Sequence, residues 1–409
     1  AASNTIIIAG DTMNIRYCIM FAALLLVAQN LHASNDGELP ADTTASPADR
    51  PMPEDEQTEP PATPRFEVTG NMRFRTSLDR RRSASPLSDA PIDVHEFRTR
   101  GNLHFRPTSD ITALLQIQDS RQFGSSRSTL GTDVTALDVH QAFFEVRDLA
   151  STGIDAKIGR QEIALGNQRL VGSVGWHPRG RTFDGLRLRR ELGDAEVDLF
   201  ATRTSDRDLR AVTPQDGPEH LFGFWGEMPI GEDNRISLFA LYDNNRGIAT
   251  IGTDSVARLR DRTTIGALFQ GKAGPLVLEV DGAWQGGTHL IRPDGTPPGI
   301  AGVSQDLSAY FASAKLTVPI GDASVGALYT LLSGDDTATA DASETFNTLF
   351  ATNHKFYGYM DYFPVLSGRL GLQDVALMAA MKFSSTTSAN VTGHYFMPHK
   401  GDDPFGIEV

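Results

Sequence analysis

Arginine is the residue type whose placement carries chemistry in this chain. Arg73 and Arg75 stand two apart, as do Arg98 and Arg100, and Arg187 and Arg189, and Arg106 shares the parity of Arg98 and Arg100. A spacing of two puts side chains on one face of a β-strand. A guanidinium stays charged at any physiological pH and grips a carboxylate with two parallel hydrogen bonds. A wall of such groups suits an anionic ligand, since rings of fixed charge set the sign of what passes a pore. Arg160, Arg169, Arg179 and Arg181 crowd a second stretch. Glu145, Glu196, Asp198, Glu279 and Asp281 fall on the same polar faces. For any single arginine, a salt bridge across the interior therefore competes with a ligand-facing role, and the expectation rests on the cluster.

Enzyme chemistry has no comparable footing. The chain contains no His-Glu-x-x-His, no Gly-x-Ser-x-Gly and no phosphate-binding Gly-x-x-x-x-Gly-Lys-Ser/Thr sequence. Asp335, Asp336, Asp341 and Glu344 lack the spacing of an EF-hand and read as a solvated loop. The one cysteine, Cys18, lies in the leader described below, so no disulfide framework, thiolate metal site or cysteine nucleophile is expected. No cofactor is expected.

The elements that position the arginines are strands. In 66–75, Phe66, Val68, Gly70, Met72 and Phe74 share one face, and Glu67, Thr69, Asn71, Arg73 and Arg75 the other. In 97–106, Phe97, Leu103 and Phe105 oppose Arg98, Arg100, Asn102, His104 and Arg106. Strict alternation is the strand signal. It recurs at 110–118, 137–147, 153–161, 183–190, 194–203, 220–228, 235–244, 262–272, 275–286, 307–318, 322–332, 374–384 and 388–397. Tight turns such as Gly193-Asp194 and Gly321-Asp322 join some pairs. Longer polar stretches join others, at 78–92, 120–135, 204–219, 246–260, 286–306 and 333–345. Short turns on one side and long loops on the other are the pattern of an outer-membrane barrel, whose apolar face meets lipid and whose polar face lines the lumen. A pair of soluble β-sandwiches would also alternate, but loop asymmetry and the leader favour the barrel. The expected fold is all-β, a transmembrane antiparallel up-and-down β-barrel of about 18 strands, in a range of roughly 16–18, wide enough for an aqueous channel.

The rest of the chain divides accordingly. Residues 1–12 precede the natural-looking start at Met13 and read as an extra, untranslated leader. Residues 13–33 carry Arg16, the apolar run Ile19 to Ala28 and a small residue at Ala33, which is the pattern of a signal peptide. Residues 34–65 are acidic and proline-rich, with almost nothing to bury, and read as a disordered periplasmic tail. Residues 66–409 are the barrel. Phe405 to Val409 reads as the opening of a strand rather than a closing aromatic end, which points to a last strand cut short. A net charge of −14 weighs against nucleic acid as a partner.

One stretch is more specific than alternation. Gly159-Arg160-Gln161, Gly166, Arg169-Leu-Val-Gly172, Trp176, Arg179, Arg181 and Phe183-Asp184-Gly185 with Arg187 follow one another. This resembles the signature of the alginate export family. Asn353-His354-Lys355, Gly358, Asp361, Gly371-Leu-Gln373-Asp374 and Gly393-His394 agree with it. The resemblance implies a monomeric 18-stranded outer-membrane barrel that exports the anionic polysaccharide alginate through an arginine-rich constriction. It also implies that the segment from Trp176 to Asp184 folds into the lumen and narrows it, with a solvated surface loop as the alternative. His354 and Asp361 are read either as lumenal or as loop packing. Expected partners are outer-membrane lipid, anionic polysaccharide or small anions, and periplasmic export proteins. Three other readings stand beside a passive polysaccharide channel: a porin for small organic anions, a membrane-embedded enzyme, and a structural barrel with a plugged lumen.

Overall fold

The computed structural model of the chain describes residues 65–79, 92–123, 137–204, 219–251, 254–291, 303–335, 342–358 and 369–401. The expected leader, signal peptide and acidic tail lie outside the described residues, except that Arg65, assigned to the tail, already opens the first strand. The last eight residues, with the expected truncated strand, also lie outside them.

The strands are β1 (Arg65–Asp79), β2 (Ile92–Arg106), β3 (Ile111–Gln122), β4 (Leu137–Val146), β5 (Ile154–Gln161), β6 (Phe183–Leu192), β7 (Ala195–Arg203) and β8 (Glu219–Ile230). They continue as β9 (Asn234–Ile251), β10 (Asp254–Ala273), β11 (Leu276–Ile291), β12 (Val303–Ile320), β13 (Ala323–Leu332), β14 (Ala342–Ser343), β15 (Leu372–Lys382) and β16 (Ser388–Met397). Each pairs antiparallel with the next in sequence, in one up-and-down sheet, and only the two-residue β14 leaves the path to pair in parallel with β12. Among the described residues β1 and β16 each have one neighbour, and no helix is long and apolar enough to cross a membrane. Gly193 and Gly274 open two-residue hairpins with φ of 64° and 62°, a left-handed conformation that such turns require and glycine adopts freely.

All fifteen alternating segments of the sequence are strands here. One expected loop is not a loop. Residues 246–251 and 254–260 continue the β9–β10 ladder, which stays in register from Arg235↔Gln270 to Ile251↔Asp254. A ladder ends where its hydrogen bonds end, and a stretch with weak alternation does not by itself mark that end.

The two faces of the sheet differ as alternation requires. Leu115, Ile117, Phe144, Leu238, Ile265, Val280, Trp284, Val325, Tyr329, Val375 and Leu377 are exposed on the outer face. On the inner face, Arg100, Gln118, Arg187, Asp198, Asp243, Arg262, Asp281, Gln285, Thr330 and Asp374 are buried. A bulge makes one exception: Gln116 pairs with Gln141 and Ile117 with Val139, leaving His140 as the extra residue of β4. It turns both His140 and Gln141 inward, where both are buried.

The expectation of a uniformly polar inner face fails over one sector. Phe200, Leu221, Trp225, Phe239, Leu241, Leu268, Ala309, Phe311 and Leu332 point inward from β7 to β13 and form one buried cluster. Apolar side chains on the inside need an apolar cover. Ile163, Leu165, Leu170 and Val171 from the β5–β6 connection supply part of it, and Phe346, Phe356 and Tyr357 from the β13–β15 connection the rest.

Candidate functional site

Two chain segments fold into the interior, both from the long-loop side. The first, residues 162–182, crosses from β2–β4 to β11–β12. At its start Glu162 receives His140 Nε2 at 2.7 Å and pairs with Arg100 at 3.2 Å. Further on, Asn167 donates to Asp281 at 2.9 Å, and Arg169 pairs with Asp281 at 2.9 Å and donates to Ser313 at 3.1 Å. Gly166 has φ 52°, and a Cβ there would meet the Trp225 ring at 2.5 Å, so the close seat on the wall requires glycine.

The second segment, 342–358, leans on β11 and β12. Gln285 on β11 donates to the Asn347 carbonyl at 2.7 Å and accepts from its N–H at 2.9 Å. The two segments then pair with each other. Phe350 N–H donates to Leu170 at 2.8 Å, Gly172 N–H to Phe350 at 2.9 Å and Thr352 N–H to Gln168 at 3.0 Å. Arg181 ties them further, donating to the carbonyls of Gly172, Phe350 and Ala351. Burial without a facing carboxylate pushes its guanidinium down to about 10, so it is still charged at neutral pH. Trp176 stacks on His354 at 4.1 Å. The inward course expected for Trp176 to Asp184 therefore holds up to residue 182, where β6 begins, and His354 is buried in the packing of the pair. Asp361 lies outside the described residues, as do Asp336 and Asp341. Asp335 is buried rather than solvated.

The eleven arginines separate into groups. Arg187 is held bidentately by Asp198 at 2.9 and 2.6 Å, both buried, and Arg189 reaches Glu196 at 3.2 Å. Arg106 pairs with Glu67 at 3.0 Å near a short turn. Arg169 is 3% exposed, clamped between Asp281 and the Phe356 ring, 4.0 Å away. These four, with Arg181, are neutralised or enclosed. Arg262, on the polar face of β10, is bound by Asp243 at 2.8 and 3.0 Å in the same manner as Arg187.

Arg160 faces the other way. It pairs in register with Asp184, one step from Ile158 and Leu186, which are 41% and 36% exposed on the outer face. Alternation keeps Arg160 and Asp184 on that face, joined by two 2.8 Å bonds. Its expected lumenal position is thereby corrected. Even positions in β5 face outward, Arg160 following Ile154, Ala156 and Ile158.

The remaining arginines gather around the tip of the first segment, residues 175–179. Arg73 and Arg98 are direct partners in the β1–β2 ladder. Arg73 donates to Gly175 O at 2.7 Å and Trp176 O at 3.1 Å, and Arg98 to Gly175 O at 3.4 Å. Arg75 bonds Glu96 through Nε at 2.5 Å and Trp176 O at 2.8 Å, with its guanidinium 4.3 Å from the Trp176 ring centre. Arg100 donates to Gln118 at 2.7 Å and to Arg179 O at 3.2 Å. Arg179 is exposed at the tip. Glu96 and Glu162 are the acids paired with these arginines, so the neighbourhood carries more positive than negative charge.

The family model of alginate export matches residues 64–406. The chain belongs to the alginate export family. It is an outer-membrane channel protein, at home in the bacterial outer membrane and embedded in its lipid. Solved structures resemble this alginate export family member at low identity. A mutant of the Rhodopseudomonas blastica porin is 12% identical with a TM-score of 0.40, over 81% of this chain and 94% of its own. OmpT, an outer membrane protein of Vibrio cholerae, is 11% identical with a TM-score of 0.40, over 82% and 86%. Pseudomonas aeruginosa OccK8 (OprE) is 13% identical with a TM-score of 0.48, over 78% and 80%. No curated protein matches the chain.

Proposed function

We propose that this outer-membrane channel passes an anionic oligo- or polysaccharide of the alginate type by passive diffusion, along arginines of β1, β2 and the tip of the first inward segment. The observation that carries the reading is the pair Arg73 and Arg98. They are cross-strand neighbours of like charge, and neither forms an ion pair with a carboxylate of the described residues. Like charges directly opposite in a sheet repel, so a fold keeps such a pair where a mobile anion offsets the cost. Arg75, Arg100 and Arg179 extend the positive strip, and a polyuronate offers one carboxylate per sugar for bidentate contact. In this reading Arg106, Arg169, Arg181, Arg187 and Arg189 hold the wall and the inward segments rather than the passing chain.

A second reading, a porin for small organic anions, draws on the pairing of the two inward segments across the interior, which narrows the path. Single-channel conductance of the refolded protein, with reversal potential in a salt gradient and titration with polymannuronate, tests both. Anion selectivity with block by the polymer supports the first reading. Anion selectivity indifferent to the polymer but sensitive to small carboxylates replaces it with the second. Cation selectivity removes both, and absence of conductance points to a plugged barrel.

A further inference from the structure

The positive strip does two things at once. Arg73, Arg75 and Arg98 hold the tip of the first segment by the main-chain carbonyls of Gly175 and Trp176. Those acceptors are neutral. A carboxylate adds a second charge to the bond and can be gripped bidentately by the guanidinium fork. The grip also works against local strain: Val174, next to the tip, has φ 53°, a left-handed conformation that a β-branched residue rarely adopts. On the far side Trp176 stacks on His354.

We propose that Arg73 and Arg75 are positioning residues that dock the 175–177 tip across the lumen, and that a carboxylate-bearing sugar chain undocks the tip by competing for the same guanidiniums. The channel's own ligand thus widens its path. The proposal rests on the reading of the strip as a polyuronate path. Trp176 reports it, because the docked ring lies between Arg75 and His354. A ligand can shift such an equilibrium only through different contacts with the two states, and the carboxylate has them: the donors of Arg73, and the one Arg75 does not give to Glu96, are occupied by carbonyls when the tip is docked and released when it is not.

The test is acrylamide quenching of Trp176 fluorescence in the full chain refolded in vesicles, with the other two tryptophans, Trp225 and Trp284, replaced by phenylalanine. Without saccharide, the double variant Arg73→Gln, Arg75→Gln is expected to raise the quenching constant by up to about twofold, since Trp176 is already 43% exposed when docked. An unchanged constant overturns the docking. With Arg73 and Arg75 intact, a short oligomannuronate is expected to raise quenching with the same midpoint at which it blocks conductance, while a neutral oligosaccharide of equal length does neither. Val174→Gly relieves the strain without touching a guanidinium, and should move that midpoint to higher oligomannuronate. Block of conductance without a change at Trp176 overturns the competition and leaves the polysaccharide channel standing. Neither block nor change overturns both.

Discussion

Arg98 and Arg187 have the same chemistry and the same inward parity, yet different surroundings, and their substitution should separate accordingly. Arg187 is already matched by Asp198, so removing the pair together, Arg187→Ala with Asp198→Ala, should leave ion selectivity nearly unchanged, whereas Arg98→Ala should pull the reversal potential in a salt gradient toward zero. Equal shifts from the two would dissolve the distinction between wall and path. Arg169 supplies a stability test. It and Asp281 are buried together, and removing one partner of such a pair typically costs about 3–5 kcal/mol because the other charge is left unmatched. Asp281→Ala should lower the urea midpoint of the refolded protein accordingly, and a midpoint within error of the parent would show that Arg169 finds another partner. The sequence separates none of these roles. It marks which arginines share a face, but the matching carboxylate comes from a neighbouring strand or from a distant loop, as Asp281 does for Arg169.

Alternation reveals strands wherever one face is apolar and the other polar, and β1 and β2 follow it most closely. It is silent about what covers the inner face. The apolar inward residues of β7, β8 and β9 sit beside apolar outward ones, as in Leu221-Phe222 and Leu238-Phe239-Ala240-Leu241. Such unbroken apolar runs are the mark of a strand covered on both sides, and they were the one signal in the sequence for an occupied interior. The second inward segment had no such signal beyond the stretch at Asn353 to Gly358. The seating of the first can be tested at Gly166. A valine there would drive Cβ into Trp225 and Leu268 in a backbone conformation it resists. Gly166→Val should give larger, noisier conductance with strand content by circular dichroism retained. Quiet, parent-like openings would mean that the segment does not set the aperture. Arg181→Ala, which removes one tie between the two inward segments, should act in the same direction and more weakly.

At the scale of the whole molecule, the outer face must satisfy lipid. Ile265 lies among Leu238, Ala240 and Trp284 on that face. An arginine on the lipid face near mid-membrane costs roughly 2–4 kcal/mol. Ile265→Arg should therefore reduce the folded fraction recovered in vesicles, while Thr264→Ser, one residue away and inward, should not. Equal recovery would place this part of the sheet outside the apolar belt.

The pairing of the two inward segments also dictates an order of assembly. Gln168 and Thr352 meet although they stand 184 positions apart in the chain, and neither segment buries its apolar side chains without the other and the wall. Closing so long a loop early is entropically unfavourable, so the strands between must register first and the interior fills last. A newly inserted barrel would accordingly pass through an unobstructed stage: wide and unselective at first, then narrowing as the two segments find each other. Recorded from the moment of insertion, its current should step down once, irreversibly, with the rate of that step set by the interior contacts and not by the strands.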